Sequence, residues 1–95
     1  MDKEWNDVRE FQLKFGHPVA DRPQQMTPER ALKRYHWMLE EINEFIEADE
    51  IVEQADAMID VIYFALGTLV EMGIKPDRLF QIVQDANMAK LWPDG

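Results

Sequence analysis

This sequence predicts an all-α fold, a bundle of four to five helices completed by oligomerisation. Two observations carry that reading. Apolar residues recur at intervals of three and four in successive stretches, and proline and glycine signals mark where those stretches start and stop. At 95 residues the chain is long enough for one core with little to spare, so a single domain over residues 1–95 is expected.

The first helix is read roughly from Lys3 to Phe15, where Trp5, Val8, Phe11 or Gln12, and Phe15 form one apolar stripe and Gly16 supplies the stop. Residues 16–26 hold Gly16, Pro18 and Pro23 and are expected to be an irregular connection, of a length that often carries function. Thr27 and Pro28 open the second helix as N-cap and first helical residue, the position where a missing N–H costs nothing. Leu32, Tyr35, Leu39, Ile42, Phe45 and Ile46 then form a core stripe flanked by Glu40, Glu41, Glu44 and Glu47. A short acidic break at residues 48–51 precedes a third helix from Val52 to Met72. Beyond Ala57 this helix is apolar on nearly all sides, which predicts burial on nearly all sides, and a second subunit is its natural cover. Gly73 stops it. Pro76 and Asp77 start a fourth helix running toward Lys90.

The hydrophobic and charged fractions, 46% and 31%, are those of a folded soluble protein, and the net charge of −9 argues against a nucleic-acid polymer or an anionic membrane as partner. A phosphate-bearing ligand would need metal to approach. Without cysteine there are no disulfides, zinc-thiolate sites or thiol nucleophiles. No charged-then-apolar signal segment begins the chain and its longest apolar run contains an acid, so the expected location is cytoplasmic.

That acid is Asp60, the only charged side chain between Ala57 and Val70. An unpaired carboxylate in such a setting costs several kcal/mol, so something must compensate it. Glu41 and Glu44, three apart, reach one point from a single helix face, and Asp56 and Asp60, four apart, do the same from the next helix. Four carboxylates converging on one cleft call for a divalent cation, and hard oxygen ligands suit magnesium or manganese. The plainer alternatives are a solvated acidic face for the glutamates and a buried ion pair between Asp60 and Arg34 or Arg78. At the end of the fourth helix Lys90 reads either as a cation complementing the helix dipole or as a phosphate clamp, with Asn87 a donor to phosphate or sugar. Arg30, Lys33 and Arg34 precede the acidic motif and are read first as solvated surface. His36 is read as a satisfied, partly buried histidine, and His17 falls in the connection. Neither fits an HExxH or a paired Glu-x-x-His motif. Trp5, Phe11, Phe15, Trp37 and Trp92 are core candidates that could also stack on a base.

In pattern and order these residues resemble the all-α nucleoside triphosphate pyrophosphohydrolases: MazG-like proteins, phosphoribosyl-ATP pyrophosphohydrolase, dimeric dUTPases and dCTP pyrophosphatase. The EExxE motif is present as Glu40-Glu41-Ile42-Asn43-Glu44. The second motif, ExxD before an apolar helix, corresponds to Asp60-Val61-Ile62-Tyr63-Phe64, and the distal Asn-x-x-Lys-aromatic-Pro resembles residues 87–93. One departure stands: Ala57 occupies the place of the motif's Glu, with Asp56 one residue further back, while Glu53-Gln54-Ala55-Asp56 offers a second alignment. The resemblance implies magnesium held by these acids and cleavage between the α and β phosphates, releasing a nucleoside monophosphate and pyrophosphate, in nucleotide housecleaning or in biosynthesis. It assigns Glu41, Glu44 and Asp60 as ligands, Asp56 as a further ligand, and Glu40 as ligand or water-orienting base. Asn87 and Lys90 would hold phosphate, the lysine crossing from a second subunit in a homodimer or homotetramer. Base recognition would fall to the first helix and its following loop, through Phe11, Phe15 and His17. A non-catalytic helical interaction module using the same acidic face is the alternative from another class, and a third possibility, a phosphatase on a different pyrophosphate-containing metabolite, would use the same site.

Overall fold

The computed structural model describes residues 1–90, which form four helices and no strand: α1 Asp2–Lys14, α2 Pro28–Glu47, α3 Ile51–Met72 and α4 Pro76–Lys90. The start of α2 follows from its first two residues. The Thr27 hydroxyl accepts from the Arg30 backbone N–H at 3.2 Å, and Pro28 needs no donor of its own. At the far end Ala48 turns extended, so α2 stops without Gly or Pro, and Glu50 leads into α3. Gly73, at φ 69°, ends α3 in the left-handed region: its N–H reaches Val70 O at 3.1 Å, and Ile74 N–H reaches Leu69 O at 3.0 Å.

Helices α2 and α3 run antiparallel as the principal pair, and α1 lies against α3. The core between them is Trp5, Val8, Leu66 and Val70, with Val19 and Leu69 packed at its edge. The connection from α1 to α2 is irregular, as its prolines require, but it is not loose. Ala20 N–H donates to Val70 O at 3.2 Å and Gln24 N–H to Met72 O at 2.8 Å, so two carbonyls at the end of α3 hold its course. The loop passes so close that a Cβ on Gly73 would stand 2.3 Å from Arg22 O. At the same end of the molecule Asp2 and Asp77 cap each other's helices, the Asp2 N–H on Asp77 Oδ1 (3.1 Å) and the Asp77 N–H on Asp2 Oδ1 (3.0 Å).

Burial departs from the sequence reading along all four helices. The α2 stripe is not a core within one chain: Leu32, Tyr35, Ile42 and Ile46 are exposed, because α3 and the loop cover a neighbouring face that includes Arg34. In α1, Gln12 rather than Phe11 turns inward, and Phe15 is exposed. Along α3 burial is likewise one-sided, with Ile59, Ile62 and Tyr63 open to solvent. Every residue of α4 from Asp77 to Lys90 is exposed, Leu79, Phe80, Ile82 and Val83 among them.

Candidate metal centre and adjoining aromatic cavity

Antiparallel pairing sets Glu41 and Glu44 of α2 opposite Asp60 of α3. One carboxylate oxygen from each lies within 4.8 Å of the others. Glu41 and Asp60 are half-buried and Glu44 is exposed, so the group is open on one side. Two observations show strain from like charge. Glu41 Oε2 is buried with no hydrogen-bond partner, and the Glu41 carboxyl is pushed up to about 7, by its hydrogen bond with Glu44 first, then by burial and by the neighbouring charges of Glu44 and Asp60. An orphaned buried oxygen facing two further carboxylates fits a bound cation, so the residues present suit a hard divalent metal.

Asp56 stands one turn back along α3, outside this group of three. It lines a polar cleft of about 350 Å³ at the α2–α3 turn with Glu44, Glu47 and Glu53. Glu44 thus faces both the cluster and the cleft. Glu40 is exposed on the flank of α2. Asn87 and Lys90 lie on the last turns of α4, exposed and outside both cluster and cleft. Trp92 and Pro93 lie outside the described residues.

On the other side of the cluster, one turn along both helices, a cavity of about 310 Å³ opens between α1, α2 and α3, lined by Phe11, Gln12, His17, Arg34, Trp37, Tyr63 and Phe64. The Phe11 ring lies nearly parallel to His17, centroids 6.0 Å apart, and meets Tyr63 edge-on at 5.9 Å. Trp37 packs on Phe64 at 6.0 Å and carries the Arg30 and Arg34 guanidinium groups over its ring at 5.1 and 5.2 Å. Of the sequence candidates for base recognition, Phe11 and His17 line this cavity. Phe15 instead stacks on Phe11 from outside, at 4.7 Å.

Behind the cavity lies a buried ion network. Arg30 makes a bidentate pair with Glu71 (Nε to Oε1 2.8 Å, Nη2 to Oε2 2.9 Å), and Arg34 Nε donates to Glu71 Oε2 at 2.6 Å. Arg34 Nη2 also donates to Gln12 Oε1 at 3.1 Å, while Gln12 Nε2 donates to Pro18 O at 2.8 Å. Burial raises the Glu71 carboxyl, but the hydrogen bonds and charges of the two arginines outweigh it and hold the group below its ordinary value. Gly67 makes room for this crossing: a Cβ there would meet Gln12 Oε1 at 2.5 Å and Arg34 Nη1 at 2.9 Å. Arg30 and Arg34 are therefore not solvated surface, and Arg34 pairs with Glu71 rather than with Asp60, which faces Glu41 and Glu44 instead. His36 is exposed, not partly buried. Glu71 escaped the sequence reading. Its signal was akin to that of Asp60: it is the acid that ends the apolar run Asp60 interrupts.

The model of the phosphoribosyl-ATP pyrophosphohydrolase family matches residues 8–87, from the middle of α1 through the acid cluster to most of α4. The chain belongs to that family. Membership places it among the all-α, MazG-like nucleoside triphosphate pyrophosphohydrolases, hydrolases that act on acid anhydrides. No curated protein sequence matches the chain. For a pyrophosphohydrolase the neighbourhood of acid cluster and aromatic cavity is chemically apt: one end can hold metal and phosphate, the other a planar ring.

Proposed function

We propose that the chain is a magnesium-dependent nucleoside triphosphate pyrophosphohydrolase that cleaves the α–β phosphate bond to give a nucleoside monophosphate and pyrophosphate. The observation that carries this reading is the convergence of Glu41, Glu44 and Asp60 within 4.8 Å, with a buried Glu41 oxygen left unpartnered. Magnesium held there, or manganese, would neutralise phosphate charge and polarise the phosphoryl group, so no covalent nucleophile is needed.

The chain's own residues supply the rest. Glu41, Glu44 and Asp60 hold the cation, and Asp56 extends the acid set into the adjoining cleft. Glu40, next in sequence and open to solvent, orients the attacking water and accepts its proton. The water oxygen bonds to phosphorus, the bridging P–O bond breaks, and pyrophosphate leaves. Phe11 and His17 meet the base in the aromatic cavity. Asn87 and Lys90 bind phosphate from a second copy of the chain, since in their own chain they stand outside the acid cluster.

Exposed area supports that second copy. The chain exposes 7378 Å², whereas a compact monomer of 11.2 kDa exposes about 5,700 Å². Covered in a pair, an excess of about 1,700 Å² per chain amounts to about 3,400 Å² over both partners, the size of an obligate interface rather than of a transient one. Apolar residues of α3 and α4, among them Ile62, Leu79, Phe80 and Val83, border one open groove and are the surface to be covered.

Pyrophosphate release from a panel of nucleoside triphosphates, with magnesium and with chelator, tests the activity. Metal-dependent release with the monophosphate as co-product is expected. Release from none, together with a melting temperature indifferent to magnesium, overturns it.

A further inference from the structure

We infer that Arg34 is a specificity-determining residue, and that the aromatic cavity selects nucleotides whose base carries an oxo group on its outer edge over those carrying an amino group there. The inference rests on the pyrophosphohydrolase reading for the kind of substrate, and on the cavity for its ring.

Position comes first. Trp37 is four residues before Glu41 and Phe64 four after Asp60, so the cavity lies about 6 Å along the helix pair from the acids. A nucleotide anchored by phosphate at the cluster therefore presents its base here. At about 310 Å³ the space is at the small end of ligand sites. Phe11, Trp37, Tyr63 and Phe64 give it aromatic walls, which favour any base through stacking and do not discriminate.

Discrimination needs a polar group, and Arg34 is the charged side chain lining this cavity. Arg34 is 5% exposed and cannot turn away into water. Its Nε is committed to Glu71 and its Nη2 to Gln12 and Glu71, whereas Nη1 has one long bond, 3.5 Å, to Phe64 O. One N–H of Nη1 is thus held only loosely and the other has no acceptor among the described residues, so Nη1 retains donor capacity. Charge points the same way. Two arginines share one carboxylate, leaving a surplus positive charge in the network. Gln12 is held between Pro18 O and Arg34, which keeps the guanidinium plane in place.

A wall that offers donors and positive charge welcomes a carbonyl oxygen and opposes an exocyclic amino group, whose own N–H bonds would face it unpaired. Guanine, hypoxanthine, uracil and thymine satisfy that rule at the 6- or 4-position. Adenine and cytosine do not.

Two isosteric pairs isolate the effect: inosine against adenosine triphosphate, and uridine against cytidine triphosphate. We expect kcat/KM to favour the oxo member of each pair by at least about tenfold. Arg34→Lys keeps a cation beside Glu71 but lacks Nη1, and the preference should fall toward unity in it. Should that variant fail to fold, the wild-type ratios decide alone. Equal rates within each pair, or a preference that survives Arg34→Lys in a folded protein, overturn the inference. If no triphosphate is hydrolysed, the activity reading falls separately, and calorimetric binding of the four matching monophosphates in chelator decides this one. Tighter binding of the oxo monophosphates upholds it, and equal or absent binding overturns it.

Discussion

Replacing Glu71 with Gln removes one charge from a buried group of three and leaves two guanidinium ions facing each other. Glu71 is 5% exposed and accepts three charge-assisted hydrogen bonds of 2.6–2.9 Å. Removing one partner of a buried pair costs about 3–5 kcal/mol, because the remaining charge stays desolvated. Arg30, whose side chain is 24% exposed, can swing outward, so the lower end, about 3 kcal/mol, is expected. Against a total of about 5–15 kcal/mol that is a large fraction, equivalent to a fall of about 12–24 °C in Tm for a domain of this size. Urea unfolding followed by helical circular dichroism measures it. The acid limb adds a second signature. Glu71 titrates below its ordinary value of 4.5, so its contribution is complete above pH 4.5 and is lost as the pH falls through the folded-state value. Wild-type and variant stabilities should therefore converge in acid. A loss below about 1 kcal/mol at neutral pH, or parallel curves into acid, would refute the argument that this network is buried and paired.

Three other perturbations address the acid cluster and the surface. Asp60→Asn should abolish turnover and magnesium-dependent stabilisation while leaving the fold intact, since it removes a ligand and relieves repulsion on Glu41; a calorimetric titration with magnesium and a melt in chelator check this. In chelator, the wild type should lose stability as pH rises from about 4.5 to about 7, because the folded state holds a proton on Glu41 that the unfolded chain has released; saturating magnesium should flatten that slope. Phe80→Glu, on the exposed face of α4, should turn the proposed dimer or tetramer to monomer in sedimentation and lower activity with it, whereas an unchanged mass would remove α4 from the interface.

The helices and their ends were legible in the sequence because each is a local matter. Thr27 with Pro28, and Gly73 with its left-handed turn, announce themselves within four residues. The three acids were legible for the same reason, since spacings of three and four put pairs on one face and an apolar helix isolates Asp60. What stayed hidden depends on separation. Glu71 meets Arg30 and Arg34 across 41 and 37 residues, and helical periodicity carries no information about which distant face an arginine will cross. Gln12 and Phe11 were ambiguous because neighbours in a helix differ by only 100°, and the choice fell to Gln12 once Arg34 needed an acceptor. The α2 stripe misled for another reason: periodicity reports an apolar face, not whether its own chain covers it.

The course of the α1–α2 connection has a consequence for how freely it can be rewritten. Main-chain groups of Ala20 and Gln24 hang it from carbonyls of α3, and those bonds are indifferent to the side chains carried. Mutational drift can therefore exchange the exposed residues that follow Val19 and Ala20, which help fill the core, while the loop's path is retained. The fixed point is Gly73, where any larger residue would collide with the Arg22 carbonyl. A library randomised over the exposed residues 21–25, with Val19, Ala20 and Gly73 kept, would sample new recognition surfaces on an unaltered hydrolytic frame.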